Sequence, residues 1–167
     1  MPDPKVARWK QRGKVALWRY RDNVGNYSGF HMTADTTGCE SLLELFRLML
    51  EADYSSAQSI RLIPPTEGML SVPNNRGGSA RWRTSRVWTI RYPKSRVSPD
   101  HWELSVAERT CNLVTGRSLL EDLRKGVEDI QRGEGDYSIE SGREQESNHP
   151  LWFWWWGGAS CATLCEE

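Results

Sequence analysis

The residues best suited to recognition chemistry in this chain are basic and aromatic. Arg76, Arg81, Arg83, Arg86, Arg91, Lys94 and Arg96 follow one another with no acid between them. Trp82, Trp88 and Tyr92 are interleaved with them. Guanidinium groups grip phosphates and carboxylates, while aromatic rings stack on bases or fill pockets on a protein partner. Period-2 alternation sends most of the apolar groups to one face of a strand and most of the arginines to the other. This predicts a buried aromatic face and a solvated face that offers Arg81, Arg83 and Arg91 to a partner. The second candidate is Leu151–Trp156, which contains four tryptophans. As a strand it places Trp152, Trp154 and Trp156 on one face and Phe153 and Trp155 on the other. A strand apolar on both sides is either core between two layers or, where one layer is missing, an interface. Trp152, Trp154, Trp156, Arg81, Arg83 and Arg91 are therefore the expected partner-binding residues.

Catalytic patterning is absent. His31, His101 and His149 stand apart, without His-x-His or His-Glu-x-x-His spacing. No Gly-x-Gly-x-x-Gly or phosphate-loop motif occurs. Cys161 and Cys165 have i, i+4 spacing, but no histidine or second cysteine pair completes a zinc site. Glu128, Asp129, Glu134 and Asp136 lack calcium-loop spacing. No catalytic residue, metal or cofactor is assigned, and the chain is expected not to be an enzyme. The contrary reading is a site assembled only in space, with a deep pocket around His101 or Cys111 as its sign.

The elements that must position these groups are those of one domain. The chain has 167 residues, and its 22 basic and 22 acidic side chains cancel. A globally basic nucleic-acid binder is thereby excluded. The balance conceals segregation: residues 1–21 carry seven cations and one acid, whereas 121–167 carry eleven acids and four cations. Such a dipole steers charged partners. No apolar run of signal-peptide or membrane-spanning length occurs, and the cysteines are dispersed, so a cytoplasmic protein with reduced thiols is expected. Residues 1–14 and 157–167 are expected as flexible ends of a single domain over 1–167.

Strands are predicted at Val15–Arg21 and Tyr27–Ala34, joined as a hairpin through Asp22–Asn26. Further strands are predicted at Ile60–Ile63, Met69–Val72, Ala80–Tyr92, His101–Glu108, Cys111–Val114, Tyr137–Ile139 and Leu151–Trp156, with loops over Pro73–Gly78 and 140–149. Two amphipathic helices are predicted, at about 40–54 and 117–132. The first presents Leu42, Leu45, Phe46 and Met49 on one face, and the second Leu120, Leu123, Val127 and Ile130. Thr37 with Glu40, and Ser118 with Glu121, have capping-box spacing. The helices also echo each other: Thr37-Gly38 and Ser41-Leu42-Leu43-Glu44 against Thr115-Gly116 and Ser118-Leu119-Leu120-Glu121. A duplicated β-β-α-β unit and convergence of common helix starts both account for this. The expected class is α+β, with a mainly antiparallel sheet and the two helices on one face.

Leu119 through Trp156 resembles small uncharacterised bacterial α+β proteins. The resemblance is carried by Leu123, Gly126, Ile130, Gly133-Glu134-Gly135-Asp136-Tyr137-Ser138-Ile139 and Leu151-Trp152-Phe153-Trp154. Some similar proteins are immunity proteins that neutralise a bacterial toxin. The resemblance implies a protein-binding role, and the partner it implies is a toxin. The alternative is a nucleic-acid-binding module that uses the Arg-aromatic segment 81–92.

Overall fold

The computed structural model describes residues 3–21, 28–71, 81–140 and 149–156. In chain order the elements are α1 (Pro4–Arg8), β1 (Val15–Tyr20), β2 (Phe30–Ala34), α2 (Thr36–Glu51), β3 (Ser56–Arg61), α3 (Glu67–Leu70), β4 (Trp82–Thr84) and β5 (Val87–Tyr92). They continue with β6 (Trp102–Ala107), β7 (Thr110–Thr115), α4 (Arg117–Gln131), β8 (Tyr137–Ile139) and β9 (Leu151–Phe153). The class is α+β with mostly antiparallel pairing, and the strands form two sheets. One runs β4-β1-β2-β9-β8 and the other β3-β5-β7-β6.

The two sheets share one plan. The hairpin β1-β2 is antiparallel, β2 pairs parallel with β9, and β9 pairs antiparallel with β8. Likewise the hairpin β6-β7 is antiparallel, β7 pairs parallel with β5, and β5 pairs antiparallel with β3. Each half therefore contributes a hairpin to one sheet, crosses through a helix, and ends with two strands in the other sheet. The repeat is β-β-α-β-β, with its last two strands exchanged between halves and α3 and β4 inserted in the first. The sequence echo does not follow this plan residue by residue. Ser41 is the sixth residue of α2, whereas Ser118 is the second of α4. The motif is thus displaced by about one helical turn. The predicted capping boxes differ for the same reason. Asp35, not Thr37, caps α2, its Oδ1 accepting from Gly38 N at 2.7 Å and Lys14 N at 2.9 Å. Gly116 caps α4 without a side-chain hydrogen bond.

The main core lies where α2, α4 and the inner faces of both sheets meet. Leu42, Phe46, Met49, Leu120, Leu123 and Val127 are fully buried there with Leu17, Met32, Trp88, Ile90 and Leu113. Complete burial of a large apolar side chain contributes about 1.5–3 kcal/mol. All five residues of β2 are buried, because it is the central strand of its sheet and both of its faces are covered. Gly126 lies in the middle of α4, where glycine costs about 1 kcal/mol relative to alanine. Its reason is proximity: a Cβ at this position would lie 2.4 Å from the buried Phe153 ring.

Three expectations are corrected. Residues 3–14 are not a loose arm. Asp3 caps α1, Val6 is buried, Trp9 Nε1 donates to Ser41 O, and the Gln11 side chain bonds both backbone groups of Arg61 at the edge of β3. Residues 67–70 form helix α3 rather than a strand, started by Thr66 Oγ1 accepting from Met69 N. The single strand over 80–92 is two strands in different sheets, interrupted at Ser85-Arg86. There Arg86 O accepts from Leu62 N, and Arg86 N donates to Arg109 O. Alternation continues across that break, so the pattern alone does not reveal it. The predicted turn at 22–26, the loop at 73–78, most of the loop at 140–149, and the 157–167 end with Cys161 and Cys165 lie outside the described residues.

Two outcomes test this architecture. Gly126→Ala is expected to lower the unfolding free energy by about 1–3 kcal/mol through overpacking, read as a fall in melting temperature. Residues 1–97 and 98–167, expressed separately, are each expected to lack cooperative unfolding and to regain it when mixed. A cooperative transition in either piece alone would exclude the exchanged plan.

Candidate functional site

The arginines singled out in the sequence do not share one surface. Arg81 precedes β4 and Arg83 lies within it, at the edge of the five-stranded sheet. Arg91 lies on β5 in the other sheet. All three are exposed, as the alternation predicts, but the division of the strand separates Arg91 from the other two. Their apolar neighbours separate as well. Trp88 and Trp102 enter the main core, while Trp82 packs against a second cluster on the outer face of the five-stranded sheet.

Arg91 gains different neighbours. A hollow of about 380 Å³ at the β3–β5 edge is lined by Tyr54, Ala57, Arg91, Pro93 and Arg96, among others. Tyr54 is 57% exposed, the one exposed large hydrophobic side chain among the described residues. Its position follows from the end of α2. Lys94, in the left-handed conformation at φ 49°, donates from Nζ to Ala52 O and Asp53 O. The ammonium thus satisfies carbonyl groups just past the helix and holds the loop that carries Tyr54. Neither Arg91 nor Arg96 has an ion-pair partner among the described residues. The helices differ: Arg117 pairs with Glu121, Arg124 with Glu128, Lys125 with Asp122, and Arg47 with Glu51. These exposed pairs contribute little to stability. They do neutralise those helical acids locally, and Arg91 and Arg96 stay without an acidic partner among the described residues.

The tryptophan run is mostly structural. Strand β9 ends at Phe153, with Leu151 and Phe153 buried in the main core. Trp152, Trp154 and Trp156 share the second cluster with Trp18 and Met69. Trp154 is fully buried and has no surface to offer a partner, whereas Trp152 and Trp156 are half-buried. At the centre of the cluster lies His31, also fully buried, which was not legible as part of any group. Its ring stacks on Trp18 at 5.7 Å and on Trp154 at 6.1 Å, with Tyr20 edge-on at 5.0 Å. Trp154 Nε1 donates to His31 Nδ1 at 3.0 Å, so this nitrogen carries no proton. The hairpin register places His31 opposite Trp18, but only the parallel pairing of β2 with β9 brings Trp154 beside it.

The hollow beside Tyr54 is lined by neither His101 nor Cys111, and neither is a second hollow beside Arg19 and Arg83. Burial pushes the Cys111 thiol up to about 12, partly opposed by Arg19. Burial, with Asp35 and Glu40, pushes Cys39 to about 12 as well. Thiols so strongly held in the protonated form are poor nucleophiles. Burial lowers the pKa of His149, and Arg19 lowers it further. Among the described residues no group of three or more His, Cys, Asp or Glu is placed to hold a metal ion. No described helix is long and apolar enough to cross a membrane.

No family model, curated protein or solved structure matches this chain.

Cys39 and Cys111 are expected to resist alkylation in the native protein at pH 8 and to react fully in denaturant, as mapped by peptide mass spectrometry. Trp154→Phe removes the donor to a buried nitrogen and is expected to cost about 2 kcal/mol in denaturant unfolding. Because the folded-state pKa of His149 is depressed, its contribution is complete above the unfolded value near 6.5 and declines as pH falls below it. His149→Gln is expected to flatten the loss of stability between pH 7 and pH 5, relative to the parent chain.

Proposed function

We infer that this chain is a non-enzymatic protein-binding domain that docks an acidic segment of its partner at the Tyr54–Arg91–Arg96 hollow. The observation that carries this is an exposed tyrosine beside two arginines without acidic partners. Tyrosine and arginine are over-represented among the residues that dominate binding energy, because each combines a broad apolar surface with directed hydrogen bonding. The hollow is shallow and holds no histidine, cysteine or carboxylate, a lining suited to docking rather than to turnover. The most concrete version of the role is neutralisation of a bacterial toxin, which rests on the resemblance of residues 119–156 to immunity-type proteins. Arginines lining the hollow are complementary to carboxylates, so the partner is expected to be acidic at its contact surface.

A nucleic-acid reading is favoured by the same feature, since a base stacks on an exposed tyrosine and phosphates suit the two arginines. Against it, Arg81 and Arg83 lie in the other sheet, and Trp88 and Trp102 are buried and offer no stacking platform.

The experiment is co-expression with the product of the neighbouring gene, followed by affinity capture. Parent protein is compared with Tyr54→Ala and with the double variant Arg91→Glu, Arg96→Glu. All three side chains are exposed, so the variants are expected to fold normally, as checked by melting temperature. Binding is expected to weaken at least tenfold in both. Undiminished capture by both variants, or oligonucleotide binding at low salt that falls steeply with added salt, would overturn the protein-docking reading.

A further inference from the structure

A second hollow, of about 390 Å³, lies where the open end of the β1–β4 pair faces the β6–β7 turn, and its lining includes Arg19, Arg83, Phe30, Trp82, Val106 and Glu108. Arg19 on β1 and Arg83 on β4 are directly opposite in the antiparallel register, so their side chains leave the same face of the sheet. Like charges in that relation repel, and sequences ordinarily avoid them unless something anionic lies between. Nothing in the described protein supplies it. Among the described residues neither arginine has an ion pair or a side-chain hydrogen bond, and Glu108 is paired with neither. Arg19 is half-buried, with its guanidinium 5.8 Å from the Phe30 ring centroid. Its charge reaches inward far enough to act on Cys111 and His149. Glu108 opens the two-residue turn between β6 and β7 in the left-handed conformation, φ 55°. That conformation is uncommon for a residue with a Cβ, and it sets a carboxylate at the rim of the hollow.

We propose that this hollow binds a small phosphomonoester, its phosphate held between Arg19 and Arg83 and its apolar body against Phe30 and Val106. Two guanidinium groups on neighbouring strands lie about 5 Å apart at their Cβ atoms, a spacing at which both planar forks reach the oxygens of one phosphate. The volume falls in the range of small-ligand sites, and the lining joins apolar walls to a few convergent polar groups, as such sites do. A single carboxylate neutralises one of the two guanidinium charges, whereas a dianion neutralises both. Glu108 at the rim disfavours extended polyanions, which selects a compact ligand over a nucleic-acid strand. The site is separate in its residues from the Tyr54 hollow and stands whether or not that hollow docks a protein.

The test is calorimetric titration of the full chain with phenyl phosphate, inorganic phosphate and benzoate at constant ionic strength, with phosphorus NMR as a second readout. Phenyl phosphate is expected to bind saturably and to raise the melting temperature. Inorganic phosphate is expected to bind at least tenfold more weakly, and benzoate more weakly still. Arg83→Gln, at an exposed edge position, is expected to fold and to lose at least tenfold in affinity, and Arg19→Gln to lose as much. Arg47→Gln, on the exposed side of α2 and in neither hollow, is expected to leave binding unchanged. Absence of saturable binding by the parent chain would overturn the proposal, as would parent-level affinity in both Arg19→Gln and Arg83→Gln. Equal affinity for phosphate and phenyl phosphate would overturn the role given to the apolar walls.

Discussion

Strands β2 and β7 each end a hairpin with one edge unpaired, and in both cases a strand from the opposite half of the chain lies parallel along that edge. An open edge exposes a row of unsatisfied backbone groups and invites association with other chains. Covering it from the other half ties the two sheets into one cooperative body. Neither half can bury its own helix and complete its own sheet. The packing of α2 against α4, the burial of both faces of β2, and the seating of β9 beside β2 all follow from this exchange.

The exchange also determines where aromatic residues end. Because β9 runs beside β2, Phe153 turns inward beneath Gly126, and Trp154 continues past the strand onto the outer face, beside His31. One short segment thus serves two cores with opposite faces. A partner can reach only the half-buried Trp152 and Trp156 of the three tryptophans expected at an interface. The groups most open to recognition are instead cations outside the core. Their availability follows from charge placement: acids on α2 and α4 pair with bases on the same helices or on the segment packed against them, as Arg12 pairs with Glu44. Arg19, Arg83 and Arg91 have no such partner among the described residues. A chain of zero net charge therefore presents basic recognition surfaces.

These two basic hollows give different opportunities. The Tyr54 hollow is shallow and open, and its tyrosine stands on a loop held by Lys94. The Arg19–Arg83 hollow is the more polar of the two and sits between elements of both sheets. The first suits a protein contact, where area and exposed anchors dominate, and the second a compact anion, where convergent charge dominates.

The sequence by itself determined the type of nearly every long element. The helices at 36–51 and 117–131, the first hairpin, and the strands at 102–107 and 110–115 were legible because amphipathic period is a local property of the chain. The same periodicity exposed Arg83 and Arg91 and buried Trp88 and Trp102. It missed the division of 80–92, since alternation is indifferent to which sheet a strand joins. It also placed Trp154 at an interface and left His31 isolated, because the parallel pairing of β2 with β9 joins residues more than a hundred positions apart. Tyr54, at the end of a predicted helix, carried no sign of exposure. The opposition of Arg19 and Arg83 depends on the register of two strands separated by more than sixty residues. Local sequence sets which face of an element is apolar, but only the tertiary structure decides which edges meet, and the meeting of edges is what gathers side chains into sites.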